Sequence, residues 1–291
     1  MTHPRLGQPS PPPVRIDRND VAVKPVRVAI AGLGAIGKSL CERLAAGAVP
    51  GAVLTAVSAR NHDRARDFVT TLAHPVKLLA LHELEPEADV VVECAAADSL
   101  APVVEPFLRA GKKAIVLSIG ALLSHPELAA LAGKTGGAIL APSGALIGLD
   151  AVLAAAEGRI HSVAMVTRKP PKGLLGAPHL VANNISVEGL AEPLKVFSGN
   201  AREAALGFPA NVNVAAALAL AGIGPDETRI EIWADPTVVR NTHVIKVDSD
   251  SAQFTMTIEN VPSENPKTGR IVAHSVIAML RKMTSALRVG T

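Results

Sequence analysis

The chain has 291 residues, 48% of them hydrophobic and 19% charged, which is the composition of a folded protein rather than a disordered one. Much of its net charge of +3 is local, because residues 1–25 hold four basic and two acidic side chains, a net charge of +2. The rest of the chain is nearly neutral, so no basic face for nucleic-acid binding is indicated. Aromatic residues make up 2% and Tyr is missing, so side chains on which bases could stack are scarce as well.

The first 25 residues are rich in proline and lack an apolar period, which predicts a flexible tail rather than a signal peptide. The most apolar stretch, 214–223, is about half of the ~20 residues that a membrane span requires. Cys41 and Cys94 form neither a disulfide framework nor a metal-binding spacing. We therefore expect a cytoplasmic protein with no membrane segment and no metal site.

Strand and helix patterns then alternate along the first half of the chain. An apolar strand at 26–31 leads through a glycine turn into a helix that starts near Ala35. Further predicted strands are 53–57, 90–94, 114–118 and 138–140, with helices such as 104–110 and 126–132 between them. This alternation is typical of a Rossmann-type doubly wound parallel sheet, and we assign residues 26–142 to a dinucleotide-binding domain.

The pattern changes after about residue 150. A strand-like run at 163–167 is followed by three segments in which polar and apolar residues alternate, at 228–233, 243–248 and 254–259. These predict a second α+β domain, residues 143–269, with a mostly antiparallel sheet. A last helix at about 271–282, within residues 270–291, could pack back on either domain.

The glycine turn has the pattern G-x-G-x-x-G in the context that gives the pattern its meaning. Its first glycine permits the tight turn, its second lets the backbone approach a pyrophosphate, and its third allows close packing of helix on strand. The alternative is a purely structural turn. We predict binding of NAD or NADP, with contacts from Gly32, Gly34, Ala35, Ile36 and Gly37.

The identity of the cofactor depends on the end of the second strand. No Asp or Glu stands at 58–61 to bind the ribose hydroxyls of NAD, whereas Arg60 could meet the 2′-phosphate of NADP. A solvated loop arginine is the competing interpretation. Dual use of NAD and NADP, or a preference for NADP, is expected.

Loops of small residues follow the other predicted strands, where ligands of open α/β sheets bind. They are either cofactor contacts or tight turns without a ligand. The predicted contacts among them are Ala95, Ala96, Ser118 and Ala145.

Segments of the second half, together with these loops, resemble one family. The segments are Thr167-Arg168-Lys169-Pro170-Pro171, Asn211-Val212-Asn213-Val214, Asn241-Thr242-His243 and Glu264-Asn265-Pro266-Lys267-Thr268-Gly269. With the glycine turn and residues 142–145, their order and spacing look like L-aspartate dehydrogenase, over about residues 26–285.

The resemblance implies oxidative deamination of L-aspartate by NAD or NADP. The product iminoaspartate would be hydrolysed to oxaloacetate and ammonia or passed to quinolinate and NAD biosynthesis. The family's active-site histidine falls on His243, its nicotinamide-side asparagine on Asn213, and a backbone contact near Ala145. The family is usually oligomeric, so a homodimer is expected.

The chemistry of these residue types agrees with such a site. An imidazole with an ordinary pKa of about 6.5 can move protons at an amine and activate water, although His243 shares its strand face with Ile245 and Val247 and could be a core residue. Arg168 and Lys169, after the strand-like run, could hold the substrate carboxylates or form a solvated loop.

Two asparagines complete the predicted site. Asn241 is a further predicted substrate contact, in the same segment as His243. Asn213 could bond the nicotinamide carboxamide or cap the helix that follows it, with Asn211 as the competing cap.

Two other functions are compatible with the same dinucleotide-binding domain. One is a related dehydrogenase that acts on another amino or keto acid, because no motif in 163–199 fixes the substrate. The other is a regulator that senses NAD(P) without catalysis, and it would not depend on His243.

Overall fold

The computed structural model describes residues 24–209, 213–261 and 269–290. Most of the predicted tail, Asn211 and the segment 264–268 therefore lie outside the described residues. Among the helices of the described ranges, the longest has 14 residues, and none is both long and apolar enough to span a bilayer.

The first sheet has six parallel strands in the order β3-β2-β1-β4-β5-β6, which confirms the predicted doubly wound sheet. Its strands are β1 (Val26–Ala31), β2 (Ala52–Ser58), β3 (Lys77–Leu78), β4 (Val90–Glu93), β5 (Lys113–Val116) and β6 (Ala138–Leu140). The central strands β1 and β4 are nearly continuous aliphatic runs because helices cover both faces of the sheet.

Five helices connect these strands. They are α1 (Ala35–Ala45), α2 (His62–Thr70), α3 (Leu100–Arg109), α4 (Ile119–Leu122) and α5 (Pro126–Thr135). The helix predicted at 126–132 continues to Thr135 and stops where Gly136 adopts a left-handed conformation with φ +75°.

The second sheet has five strands in the order β11-β10-β7-β9-β8, and it is mostly antiparallel as predicted. The strands are β7 (Ile160–Lys169), β8 (Leu194–Asn200), β9 (Arg229–Ala234), β10 (Asn241–Ser249) and β11 (Gln253–Asn260). The pairing of β7 with β9 is parallel, and the other three pairings are antiparallel.

Helices cover one face of the second sheet. They are α6 (Leu149–Ala156), α7 (Pro178–Ala182), α8 (Ala201–Gly207) and α9 (Asn213–Ala221). Together with the inner side chains of the sheet, they form an aliphatic core to which Phe197 and Phe208 contribute the buried aromatic rings.

The last helix, α10 (Ile271–Thr284), returns to the first sheet. Its side chains Val276, Ile277 and Leu280 are buried in the same cluster as Val28 and Ile30 of β1. The first described strand, β1, and the last described helix, α10, thus belong to the same sheet and its layer, and the five-stranded sheet lies between them in sequence.

Strand β7 corrects one local prediction. The strand-like run at 163–167 continues through Arg168 and Lys169, which are the last two residues of the strand and not a loop after it. Because successive side chains of a strand point to opposite faces, these two cations are directed to opposite sides of the sheet.

Candidate active site

The glycine turn is shaped by close contacts that only glycine permits. Gly32 has φ +102°, and a Cβ placed on it would lie 2.5 Å from the carbonyl oxygen of Cys94. A Cβ on Gly37 would lie 1.9 Å from the carbonyl oxygen of Gly32, so helix α1 packs against the turn without any side chain between them. Both glycines are therefore steric requirements of this turn.

Gly34 differs from its two neighbours in the motif because a Cβ on it would meet no atom within 4 Å among the described residues. It is the N-cap of α1, where no side chain caps the helix and the first turn holds no acidic residue. Unsatisfied amide groups and the positive end of the helix dipole therefore face open space beside Gly34 and Ala35. This arrangement fits the pyrophosphate of a dinucleotide.

The carboxyl ends of β4 and β5 are joined by a buried carboxylate. Glu93 is fully buried and accepts hydrogen bonds from the backbone amides of Ser118 (2.9 Å) and Leu117 (3.2 Å) and from the Ser118 hydroxyl (3.1 Å). Burial raises the pKa of the Glu93 carboxyl, against the effect of these donors. The Ser118 hydroxyl, predicted as a cofactor contact, is thus engaged by Glu93. Ala95 and Ala96 follow on the adjacent loop, half-buried and exposed respectively.

Arg60 lies beyond the end of β2 and is exposed. Asn61 beside it caps α2, because its side chain accepts a hydrogen bond from the amide of Arg64 at 3.0 Å. The Arg60 side chain is therefore carried on an ordered strand-to-helix turn at the edge where the ribose of a dinucleotide binds.

A cleft runs between the two sheets and brings most of the remaining candidates together. It encloses about 730 Å³, counting space that is open to solvent. The first sheet and its loops contribute Ile36, Leu117, Ile119, Ser143, Gly144 and Ala145, and the second half contributes Lys169, Asn213, Val214, Asn241, His243, Asn260, Gly269 and Val272. Of the predicted residues, the cofactor contacts Ile36, Ala145 and Asn213, the substrate contacts Lys169 and Asn241, and His243 therefore line one space.

His243 is buried, with 2% of its surface exposed. Its Nδ1 atom lies 3.0 Å from the hydroxyl of Thr167, its partner in the register of β10 with β7. Burial, followed by the charge of Lys169, lowers the pKa of His243 from 6.5 to about 3. The imidazole of His243 is therefore neutral at physiological pH.

Lys169 is the second buried titratable group of the cleft, with 4% of its surface exposed. Burial lowers the pKa of its ammonium group from 10.5 to about 8. A buried cation close to a neutral imidazole is suited to an anionic ligand, because the ligand's charge offsets the cost of burying the ammonium group.

Three asparagines surround this pair. The Asn213 side-chain oxygen accepts a hydrogen bond from the amide of Gly120 at 3.0 Å, which ties α9 to the short helix α4 after β5. Asn241 and Asn260 face each other in the register of β10 with β11, and the Asn260 amide donates to the carbonyl oxygen of Ala145 at 3.0 Å. The predicted contacts Asn213, Ala145 and Asn241 are thus held in place by protein groups.

Arg168 is the predicted substrate contact that the structure does not bring to the cleft. Its guanidinium group lies on the other face of β7, stacked 4.8 Å from the ring centre of Trp233 and paired with Asp235 at 2.8 Å. The two-residue extension of β7 causes this placement, because it separates the side chains of Arg168 and Lys169.

Three residues of the site had not been singled out from the sequence. Thr167 belongs to one of the segments that carry the family resemblance, and Glu93 and Asn260 are the last residues of β4 and β11. The sequence signal for such residues is a polar side chain in an otherwise apolar strand. This signal does not identify the group with which the side chain forms a hydrogen bond.

Comparisons with known proteins agree with this geometry. The family described as "Aspartate dehydrogenase, C-terminal" matches residues 150–283, and the family described as "Homoserine dehydrogenase, NAD binding domain" matches residues 32–142. The glycine turn and its sheet thus belong to an NAD-binding domain.

Curated relatives match over nearly the full length. An L-aspartate dehydrogenase of Bordetella bronchiseptica is 64% identical over 91% of this chain and 97% of its own length. An L-aspartate dehydrogenase of Bradyrhizobium diazoefficiens is 54% identical over 95% of this chain and 98% of its own length. The crystal structure of aspartate dehydrogenase from Thermotoga maritima shares the fold, with a TM-score of 0.71 at 24% identity, covering 91% of this chain and 99% of that one.

Proposed function

The chain belongs to the L-aspartate dehydrogenase family, and on that premise we propose that it oxidises L-aspartate with NAD or NADP. The product iminoaspartate reacts with water to give oxaloacetate and ammonia, and the reverse reaction is the reductive amination of oxaloacetate. The observation that carries the proposal is the buried pair of His243 and Lys169 in a cleft that the NAD-binding sheet also lines.

The residues present fit a dinucleotide. Open space beside Gly34 at the start of α1 accommodates the pyrophosphate, and Asn213 and Ala145 line the cleft where the nicotinamide end is expected. When bound, the cofactor supplies the acceptor for the hydride that leaves the substrate α-carbon. The protein's task is to orient the substrate, exclude water and move protons.

We assign proton transfer to His243. Its Nδ1 atom is engaged by Thr167, so Nε2 is the ring nitrogen that remains for the ligand. A pKa of about 3 is too low for an efficient base near neutrality, but a bound dicarboxylate raises it by favouring the charged imidazolium. The arriving substrate therefore turns His243 into a base that takes a proton from the ammonium group, releases it to solvent, and then takes one from the water that adds to the imine.

We assign carboxylate binding to Lys169. With a pKa of about 8 the ammonium group is mostly charged at pH 7, and a carboxylate beside it stabilises that charge further. Among the described residues that line the cleft, it is the one Lys or Arg side chain. Asn241 lies beside His243 and is the proposed second contact to the substrate.

We propose a homodimer that joins the outer faces of two five-stranded sheets. Val166, Val244 and Trp233 lie half-buried on that face, and basic and acidic side chains alternate around them, as in Lys246 and Glu231. A twofold interface requires such a self-complementary surface. Light scattering should give twice the chain mass, and Val244→Glu should give the mass of one chain.

Two further proposals concern the setting of the enzyme. We propose a cytoplasmic location, because Cys41 and Cys94 are both free thiols, which suits a reducing compartment. In that compartment the product iminoaspartate would supply quinolinate and NAD biosynthesis.

The proposed function is tested by following absorbance at 340 nm with NADH or NADPH, ammonia and a panel of keto acids. Oxidation of the cofactor confined to oxaloacetate is the expected result. Faster turnover with another keto acid would assign the site to a related dehydrogenase, and cofactor binding without oxidation of any substrate would remove the catalytic assignment.

A further inference from the structure

Asn260 is a buried polar residue at the end of an edge strand. It closes β11, where the other inner-face residues, Phe254, Met256 and Ile258, are apolar and half-buried. Only 3% of the surface of Asn260 is exposed, and the residue lines the cleft between the two sheets. Burial of an amide is costly unless its polar atoms are bonded, so its partners are informative.

The orientation of the Asn260 amide is fixed by its neighbours. The Nδ2 atom donates to the carbonyl oxygen of Ala145 at 3.0 Å, and a carbonyl can only accept, so the nitrogen must lie on that side. Gly269 packs against the same amide, since a Cβ on Gly269 would lie 3.2 Å from the Oδ1 atom. The contacts with Ala145 and Gly269 therefore allow a single orientation of the Asn260 side-chain amide.

The Oδ1 atom of Asn260 is buried and has no hydrogen-bond partner within the described part of the chain. Native proteins satisfy nearly all buried side-chain acceptors, so an orphaned one beside a ligand cleft indicates a donor that the described residues do not supply. Asn241 and His243 line the same cleft. The missing donor is therefore to be sought in a molecule that binds there.

We propose that Asn260 is a ligand-binding residue of this dehydrogenase. Its Nδ2 atom holds the Ala145 loop against the second sheet, and its Oδ1 atom accepts a hydrogen bond from an N–H group of a bound ligand. The proposal rests on the proposed function, which brings two such groups into the cleft: the carboxamide of the nicotinamide and the ammonium group of aspartate. The carboxylates and the keto group of the other ligands cannot donate.

The test compares ligands that differ only in this donor. In the cofactor arm, the dissociation constants of NAD and of 3-acetylpyridine adenine dinucleotide, which has a methyl ketone in place of the carboxamide, are measured for the parent and for Asn260→Ala. In the substrate arm, aspartate and succinate are compared as ligands of the enzyme–NADH complex. We expect Asn260→Ala to weaken both ligands of a pair through loss of the Ala145 bond, and to weaken the N–H ligand of one arm about tenfold more than its analogue.

A second variant separates the two bonds of Asn260. Asn260→Asp retains an acceptor but, as a carboxylate, cannot donate to the Ala145 carbonyl. Asn260→Asp should lower the affinity for both ligands of a pair by the same factor, so the preference for the N–H ligand should stay as in the parent. Asn183→Ala is the matched control, because the exposed Asn183 also donates to a backbone carbonyl, that of His179 at 2.8 Å. It should change neither preference.

The outcomes are distinguishable. Equal weakening of both ligands in both arms, or no change in either, would make Asn260 a residue of the fold alone and overturn the proposal. Thermal melting of each variant identifies a loss of folding, and Asn260→Asp then supplies the comparison if Asn260→Ala is unstable. If aspartate proves not to be a substrate, the proposed function fails, but the cofactor arm still measures the Oδ1 bond.

Discussion

The Nδ1 atom of His243 lies 3.0 Å from the Oγ1 atom of Thr167, across the paired strands β10 and β7. Two rigid strands thus fix the imidazole ring, and the register of the sheet sets which of its nitrogens faces the ligand. A catalytic group supported in this way needs little reorganisation during the reaction. Substitution of His243 and of Thr167 in turn can therefore separate proton transfer from the positioning of the ring.

His243→Ala should lower turnover by roughly 10²-fold or more while the affinity for NAD(P) stays nearly unchanged, because proton transfer is lost and cofactor binding is not. Steady-state kinetics and cofactor titration measure the two quantities. The control is His161→Ala, since His161 is exposed on β7. Parent-like turnover of the His243 variant would remove the residue from the mechanism.

Thr167→Val keeps the shape of the side chain but leaves Nδ1 of the buried His243 without its partner. An unsatisfied buried nitrogen costs about 1–3 kcal/mol, so we expect kcat to fall roughly tenfold and its pH profile to shift. Thr167→Ser should restore both. Unchanged kcat and pH profile in the valine variant would mean that the hydroxyl does not orient the ring.

Lys169→Met should raise the KM for oxaloacetate at least tenfold, because a charged hydrogen bond is worth about 1.5–3 kcal/mol. Arg168→Met is the adjacent comparison on the opposite face of β7, and it should change kcat/KM by less than about twofold. The Arg168 variant should instead lose up to about 1 kcal/mol of stability through its pair with Asp235. A larger kinetic effect at Arg168 would return it to the substrate site.

Stability should depend on pH through His243. Its pKa is about 3 in the folded protein and about 6.5 in the unfolded chain, so between these values the unfolded chain binds one more proton. The free energy of unfolding therefore rises with pH in that window, by up to about 1.4 kcal/mol per pH unit, and this dependence ends above about pH 6.5.

Urea unfolding of the parent and of His243→Gln between pH 4.5 and 7.5 measures this contribution. The difference between the two proteins should shrink as the pH falls, since the variant has no imidazole to protonate. A constant difference would mean that His243 titrates normally in the folded protein. Lys169, with a pKa of about 8, adds a dependence of the same sign only between about pH 8 and 10.5.

Arg60→Ala should weaken the binding of NADP more than that of NAD, because only NADP carries the 2′-phosphate that the guanidinium group would meet. Arg64→Ala, on the exposed first turn of α2, is the control. The dissociation constants of the two cofactors give the ratio directly. Parallel losses for NAD and NADP would exclude the contact with the phosphate.

The glycine turn was predictable residue by residue, because its strand, turn and helix each depend on local sequence. The second half was less so. Strand β8 was not predicted, and the alternation at 228–233 indicated a strand without showing that β9 pairs in parallel with β7. Side-chain periodicity is the same for both directions of pairing, so the direction depends on contacts that are remote in sequence.

The candidate site shows the same limit. His243 and Asn213 were identified through a family resemblance, since a histidine on an apolar strand face is more often a core residue. Arg168 and Lys169 belong to β7 rather than to a loop after it, because polar residues at the end of a strand resemble a loop in sequence, and of the two only Lys169 faces the cleft. Asn260 and Glu93 have partners more than 20 residues away, and no local pattern encodes such contacts.

The return of α10 to the first sheet bears on how the protein is made. Val276, Ile277 and Leu280 complete an apolar cluster begun by Val28 and Ile30, about 250 residues earlier in synthesis. The nucleotide-binding half therefore leaves the ribosome with part of one face uncovered, and α10 is added to that face only after the five-stranded sheet has been synthesised. A premature stop before residue 271 would leave that face exposed to aggregation, even though every strand of the sheet had been made.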